Sequence, residues 1–389
     1  MRFAFTHARV LAPQGWLDDH AVLVADGRIA AVLPTPALDA ADLPRRDLAG
    51  ARLAPGFIDC QVNGGGDVLF NDAPDLATLE RLAAAHARYG TCRFLPTLIS
   101  SDAAHIAAAV AAVGAARGRV PAVLGLHLEG PFLASARRGV HDVAHFRTPE
   151  ADFATGLDRL APAVRLVTLA PECVPAGFIA DLTARGVIVC AGHTAADYAT
   201  LRAAAAQGVR GITHLYNAMS PLQSREPGVV GAALDDDALW CGVIVDGHHV
   251  HPAALRLALR AKPRGKLFLV TDAMPPVGGD ATTFQLGGLR VHCRDGRCET
   301  DDGTLAGACL DMASAVRNAV AQLGLAEDEA LRMASTYPAD FLGLADQYGR
   351  IAPGAAADLV VLDEALAVRE TWVGGERVFA VVTHQRSVG

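Results

Sequence analysis

Apolar and polar positions along the 389-residue chain fall into two regimes. Up to about residue 53 the apolar runs are short. The run 21–24 leads into the turn pair Asp26-Gly27 and then into a second run, 28–33. This is a strand–turn–strand signature, and no segment there has helix-length periodicity. From Pro55 onward, apolar runs near 56–62, 91–98, 122–128, 164–169, 187–191, 210–213, 241–245 and 267–271 alternate with segments rich in Ala, Leu and Arg. Across 75–89, Leu76, Leu79, Leu82, Ala83 and His86 recur at helical spacing and Gly90 closes the segment. The stretches 102–117, 195–207 and 252–261 read the same way. After about Asp346 the pattern returns to strands, at 358–363, 371–373 and 377–382, with Gly374-Gly375 turning the last pair.

Eight strand candidates alternating with helices over about 290 residues predict a (β/α)8, TIM-like barrel rather than an open doubly wound sheet. No Gly-rich fingerprint follows the first run to favour a dinucleotide fold. The two chain ends are expected to combine into a small β-sandwich domain, residues 1–53 with 347–389, around a barrel spanning 54–346. In a barrel, functional groups follow the carboxyl ends of the strands. Here Gln61 and Asn63 follow the first run, Glu129 the third, His193 the fifth and His214 the sixth. Asp246, His248 and His249 follow the seventh, and Asp272 the eighth.

Composition narrows the setting. With 51% hydrophobic and 20% charged residues, the chain reads as a compact soluble protein. A net charge of −8 argues against nucleic acid or an anionic membrane as partner. The eight cysteines are scattered without a CxxC pair, and Cys190 and Cys241 lie inside apolar runs, which suits reduced thiols in a cytoplasm better than a disulfide framework. The amino terminus has no signal-like apolar core, and no apolar stretch is long enough to span a bilayer. A soluble cytoplasmic protein is the expectation.

The chemistry starts at Glu129. It ends the apolar run 120–126 and His127-Leu128, and a carboxylate buried there needs a partner. His193 and His214 are, singly, ordinary hydrogen-bonded histidines. Placed with Glu129 on one barrel face they make two imidazoles and a carboxylate, the ligand set of a catalytic divalent site with an open water position. Zinc is the leading expectation, though Fe2+, Mn2+ and Co2+ accept the same set. Asp272 is placed to take a proton from an acidified water, or else to cap a helix. His141, in Arg137-Arg138-Gly139-Val140-His141-Asp142, is equally a donor to an oxyanion or a solvated loop histidine. Arg225 is suited to an anionic group or to a salt bridge with Glu226. The turn Asp246-Gly247 lets at least one of His248 and His249 face the barrel mouth.

Several motifs occur in order: Pro55-Gly56-Phe57-Ile58-Asp59, His127-Leu128-Glu129-Gly130-Pro131-Phe132, Gly192-His193-Thr194, Thr213-His214-Leu215-Tyr216-Asn217-Ala218-Met219, Arg225-Glu226-Pro227-Gly228, Asp246-Gly247-His248-His249-Val250 and Val270-Thr271-Asp272-Ala273. Together they resemble the N-acetylglucosamine-6-phosphate deacetylases of the amidohydrolase superfamily. The resemblance implies deacetylation of a small phosphorylated amino sugar, with one divalent ion held by Glu129, His193 and His214. It implies Asp272 as general base and acid, and His141 as the group polarising the acetamide carbonyl. It further implies substrate contacts from Val140, Asn217, Ala218 and His249 and from Leu305, Ala306 and Gly307 in a loop. Arg225 would meet the phosphate from the adjacent subunit of a homodimer. The galacto epimer, or another phosphorylated amide, is the alternative substrate, and a metal-binding scaffold without activity is the non-enzymatic one. One departure from the wider superfamily stands out: Gln61-Val62-Asn63 occupies the place of His-x-His, and the fourth strand ends without the usual lysine, its nearest acid being Glu172. Amides are poor ligands beside imidazole, so a mononuclear site is expected.

Overall fold

Burial on both faces explains why the barrel runs do not alternate. The strand Thr91–Ile99 is buried at every position, and Phe57–Val62 and Gly125–Glu129 are likewise. The computed structural model describes residues 1–38 and 43–381. Its eight parallel barrel strands are Phe57–Val62, Thr91–Ile99, Gly125–Glu129, Val164–Leu169, Ile188–Ala191, Val209–Ile212, Trp240–Val243 and Leu267–Leu269, paired in chain order. All four named helices form, as Leu76–Ala87, Ala103–Ala116, Tyr198–Gln207 and Pro252–Ala261. Asp75, Asp102 and Asp197 cap the first three by accepting from Thr78 N, His105 N and Thr200 N. Gly208, at φ 116°, ends the third.

The first and eighth strands meet at an irregular seam. It is stitched by Asp272 N donating to Gln61 O (3.1 Å), and by Asn63 N and Gly64 N donating to Ala273 O (3.0 and 2.8 Å). Beneath it the buried Asp59 carboxylate accepts from Gln61 N (3.1 Å) and from Thr271 Oγ1 (2.5 Å). The seam thus fixes Gln61, Asn63 and Asp272 side by side at the barrel mouth.

Both chain ends join one mixed sheet, ordered Glu376–Ala380, Val368–Val373, Leu359–Leu362, Arg52–Pro55, Arg2–Ala12, Gly15–Ala25, Arg28–Pro34, with Arg45–Asp47 beside Arg2–Ala12. Val382, the last residue of the expected run 377–382, lies outside the described residues. Among the described residues no helix is long and apolar enough to cross a membrane.

Two expectations are corrected. The segment containing Leu305, Ala306 and Gly307 is not a loop: Leu305–Ala308 is the last strand of a four-stranded antiparallel sheet with Thr283–Leu286, Leu289–Arg294 and Arg297–Thr300. The turn pairs Gly287-Gly288 and Asp295-Gly296 sit between its strands and are the hairpin signals that could have revealed it. That hairpin sets Cys293 directly opposite Cys298, and the two form a disulfide, so the chain is not free of them. The other six cysteines are free thiols.

The barrel and the terminal sheet are joined by a buried ion pair. Arg93 Nε and Nη2 donate to Asp358 Oδ2 and Oδ1 at 2.6 and 3.0 Å, with both side chains under a tenth exposed. Removing one partner of such a pair strands the other charge. Asp358→Ala is therefore expected to lower unfolding free energy by about 3–5 kcal/mol in urea titration. An unchanged midpoint would show that the pair does not hold the two parts together.

Candidate active site

The three ligand-type residues converge as their strand positions require. Glu129 Oε1 lies 3.1 Å from His193 Nε2 and 2.9 Å from His214 Nε2, and the two Nε2 atoms are 3.2 Å apart. All three side chains are buried. His193 Nδ1 donates to Arg137 O (2.9 Å), which leaves a lone pair on Nε2 and turns it toward Glu129. Three acceptor atoms thus face one another out of water, an arrangement that requires a cation between them. Their spacing is close to the edge of about 3.3 Å in a tetrahedron with zinc-type bonds of 2.0–2.1 Å. Burial would raise the Glu129 carboxyl, but hydrogen bonds and charge from His193 and His214 outweigh it and hold it well below the ordinary range. Burial opposes charge on His214, yet Glu129 and Asp272 raise it, so the surroundings of this ring favour positive charge. The residues fit a divalent ion.

Both histidines occupy the left-handed region, His193 at φ 50° and His214 at φ 34°, as does Asp272 at φ 52°. Such backbone costs on the order of 1–3 kcal/mol per residue and is tolerated where surrounding structure fixes it. Glu172 does part of that fixing. It accepts from Thr194 Oγ1 and Ala195 N, both at 2.6 Å, and so anchors the turn after His193.

The amides at the seam are hydrogen-bond donors. Gln61 Nε2 donates to Glu129 Oε2 (3.1 Å) and Asp272 Oδ1 (3.0 Å), and Asn63 Nδ2 donates to Asp272 Oδ1 (2.6 Å). Two imidazoles in their place would offer lone pairs to a second ion, whereas these N–H groups point at the acids themselves. Asp272 Oδ2 has no protein partner among the described residues. Burial, and then the Glu129 charge, raise the Asp272 carboxyl to about 6, which suits a group that takes and returns a proton near neutrality.

His141 is buried with its ring 4.3 Å from that of His193. Ser100 N donates to His141 Nδ1 (3.3 Å), so Nδ1 is the acceptor and the ring proton sits on Nε2. Burial lowers this histidine to about 3, leaving it a neutral donor. His127 is also buried, between Thr97 Oγ1 (3.1 Å) and Thr168 Oγ1 (2.8 Å), one layer below. Its burial lowers it to about 4, so it too is neutral.

A cavity of about 360 Å³ opens over the triad. Of the expected residues, Val140, His141, Asn217, Ala218, His249, Asp272, Leu305 and Gly307 line it together with Glu129, His193 and His214. Ala306 is instead buried in the core of the four-stranded sheet. Arg225 is exposed and outside the lining. His248 turns away to Asp295 O (3.2 Å), while His249 Nδ1 is held by Asp246 Oδ2 (2.6 Å). Arg137, Ile99, Met274 and Thr304 line the cavity without having been singled out from sequence.

Comparison with known proteins agrees with this geometry. Residues 52–383 match the amidohydrolase family model, and residues 2–53 match the NagA composite domain. The chain belongs to the amidohydrolase family. This amidohydrolase is 45% identical over 377 residues to the N-acetylgalactosamine-6-phosphate deacetylase of Shewanella sp. (strain ANA-3), covering 96% of this chain and 95% of that one. It superposes on the crystal structure of N-acetylglucosamine-6-phosphate deacetylase from Pasteurella multocida with a TM-score of 0.94 at 37% identity, covering 98% and 100% of the two chains. A mutant of the Mycobacterium smegmatis N-acetyl-D-glucosamine-6-phosphate deacetylase, solved in complex with N-acetyl-D-glucosamine-6-phosphate, gives a TM-score of 0.89 at 34% identity, covering 97% and 100%. The amidohydrolase is a sugar-phosphate deacetylase of the NagA type.

A bound divalent ion should stabilise the folded state. Zn2+ at about a hundred times its Kd is expected to add about 2.7 kcal/mol to chelator-stripped protein. Glu129→Ala should abolish that gain in thermal melts. An equal gain in the variant would place the ion elsewhere.

Proposed function

We propose that the protein hydrolyses the acetamide of N-acetyl-D-glucosamine 6-phosphate, releasing acetate and D-glucosamine 6-phosphate, in amino-sugar catabolism and recycling in the cytoplasm. The observation that carries this reading is the facing of the buried Glu129–His193–His214 cluster by Asp272 across one cavity. One divalent ion per chain, zinc first, supplies Lewis acidity there, acidifying water and polarising a carbonyl. Gln61 and Asn63 support the count of one, because both present N–H groups to acids.

Asp272 Oδ2 takes a proton from the attacking water as the new C–O bond forms. His141 Nε2–H donates to the carbonyl oxygen as negative charge gathers on it, the kind of preorganised stabilisation that usually dominates acyl transfer. Asp272 then passes its proton to the departing nitrogen as the C–N bond breaks. Backbone at Val140 and Ala218, with Asn217, His249 and the strand carrying Leu305, Ala306 and Gly307, holds the sugar. Arg225 contributes to phosphate binding from the neighbouring subunit of a homodimer. Its exposure, away from its own chain's cavity, is compatible with that role.

The galacto epimer is a second reading. It is favoured by the 45% identity to an N-acetylgalactosamine-6-phosphate deacetylase, against 37% for the glucosamine-type enzyme of known structure. Acetate release from each phosphorylated epimer separates them, and a higher kcat/KM for the gluco form is expected. Failure to release acetate from either would overturn the proposed activity. Asp272→Asn should retain the metal and lose about 100- to 10,000-fold in kcat, the range of general acid–base catalysis. Near-wild-type turnover with metal bound would remove Asp272 from this role.

A further inference from the structure

Among the described residues, Arg137 is the only Lys or Arg in the lining of the active-site cavity. It is half-buried, and among the described residues its guanidinium has no carboxylate, carbonyl or ring partner. Every other half-buried arginine described has one. Arg52 pairs with Glu327, Arg165 with Asp158 and Arg350 with Asp340, while Arg256 and Arg317 donate to the carbonyls of Gln322 and Leu366. A guanidinium that lines a cavity and is not already paired is free to meet an anion that enters it.

Its backbone is fixed. Arg137 N donates to Ala134 O (2.8 Å), Ala134 N donates to His193 O (2.9 Å), and His193 Nδ1 donates to Arg137 O (2.9 Å). The residue is therefore tied on both sides to a member of the metal-type cluster, and its side chain works within reach of whatever fills the cavity. Arg225, the other arginine suited to an anion, is exposed and outside this lining.

We infer that Arg137 is a phosphate-binding, specificity-determining residue supplied by the chain itself. Its planar fork donates to the 6-phosphate oxygens of the substrate, so that part of the preference for a phosphorylated sugar is built into each subunit. This rests on the reading that the substrate is a phosphorylated N-acetyl sugar.

The test compares wild type, Arg137→Gln and Arg137→Lys, each with its metal content measured, on N-acetylglucosamine with and without the 6-phosphate. The expected result is a fall of about 10- to 100-fold in kcat/KM for the phosphorylated sugar in the Gln variant, mostly through KM. Activity on the unphosphorylated sugar and metal content should stay within about twofold, because the carbonyl that holds His193 is untouched, and Lys should restore part of the loss. An equal fall on both sugars would mean that Arg137 acts only by positioning His193, and no fall on either would mean that it binds nothing; each overturns the inference. Wild type that does not prefer the phosphorylated sugar would overturn the substrate reading itself, and the inference with it.

Discussion

Three lone-pair-bearing atoms, Glu129 Oε1 and the Nε2 atoms of His193 and His214, meet within about 3 Å of one another in a buried pocket. Nothing in an apolar barrel stabilises that meeting except positive charge. The rest of the mouth is arranged around this constraint. Arg137 O orients one ring, Glu172 anchors the turn behind it, and left-handed backbone at His193, His214 and Asp272 turns each side chain inward from the end of its strand. A barrel supplies such a place because the carboxyl ends of its strands converge on one face while its interior is a packed core.

The seam between the first and eighth strands decides what kind of site results. Gln61 and Asn63 spend their amide hydrogens on Glu129 and Asp272. This holds Asp272 close to the cluster and keeps its Oδ1 occupied, while Oδ2 has no protein partner among the described residues. The amide nitrogens of Gln61 and Asn63, unlike imidazole nitrogens, offer no lone pair to a metal ion.

The eight strands and the ligand set were legible in the sequence for physical reasons. Strands buried on both faces give unbroken apolar runs, and an acid and two histidines that are ordinary singly become a ligand set once the runs place them on one barrel face. The four-stranded sheet from Thr283 to Ala308 was harder to see, because its strands are short and half-exposed and carry their signal only in Gly287-Gly288 and Asp295-Gly296. The Cys293–Cys298 bond was hidden with it, since only the hairpin register brings the two together. Arg137 could not be found from its identity or spacing at all. What distinguishes it is that, among the described residues, its side chain lines the cavity without a partner, which only the folded chain reveals.

The most direct measurement is anomalous scattering from crystals of the zinc-loaded protein. The account predicts one strong peak per chain, within bonding distance of Glu129 Oε1, His193 Nε2 and His214 Nε2, with none beside Gln61 and Asn63. A second peak of comparable strength at the amides, or a single peak away from Glu129, would contradict it.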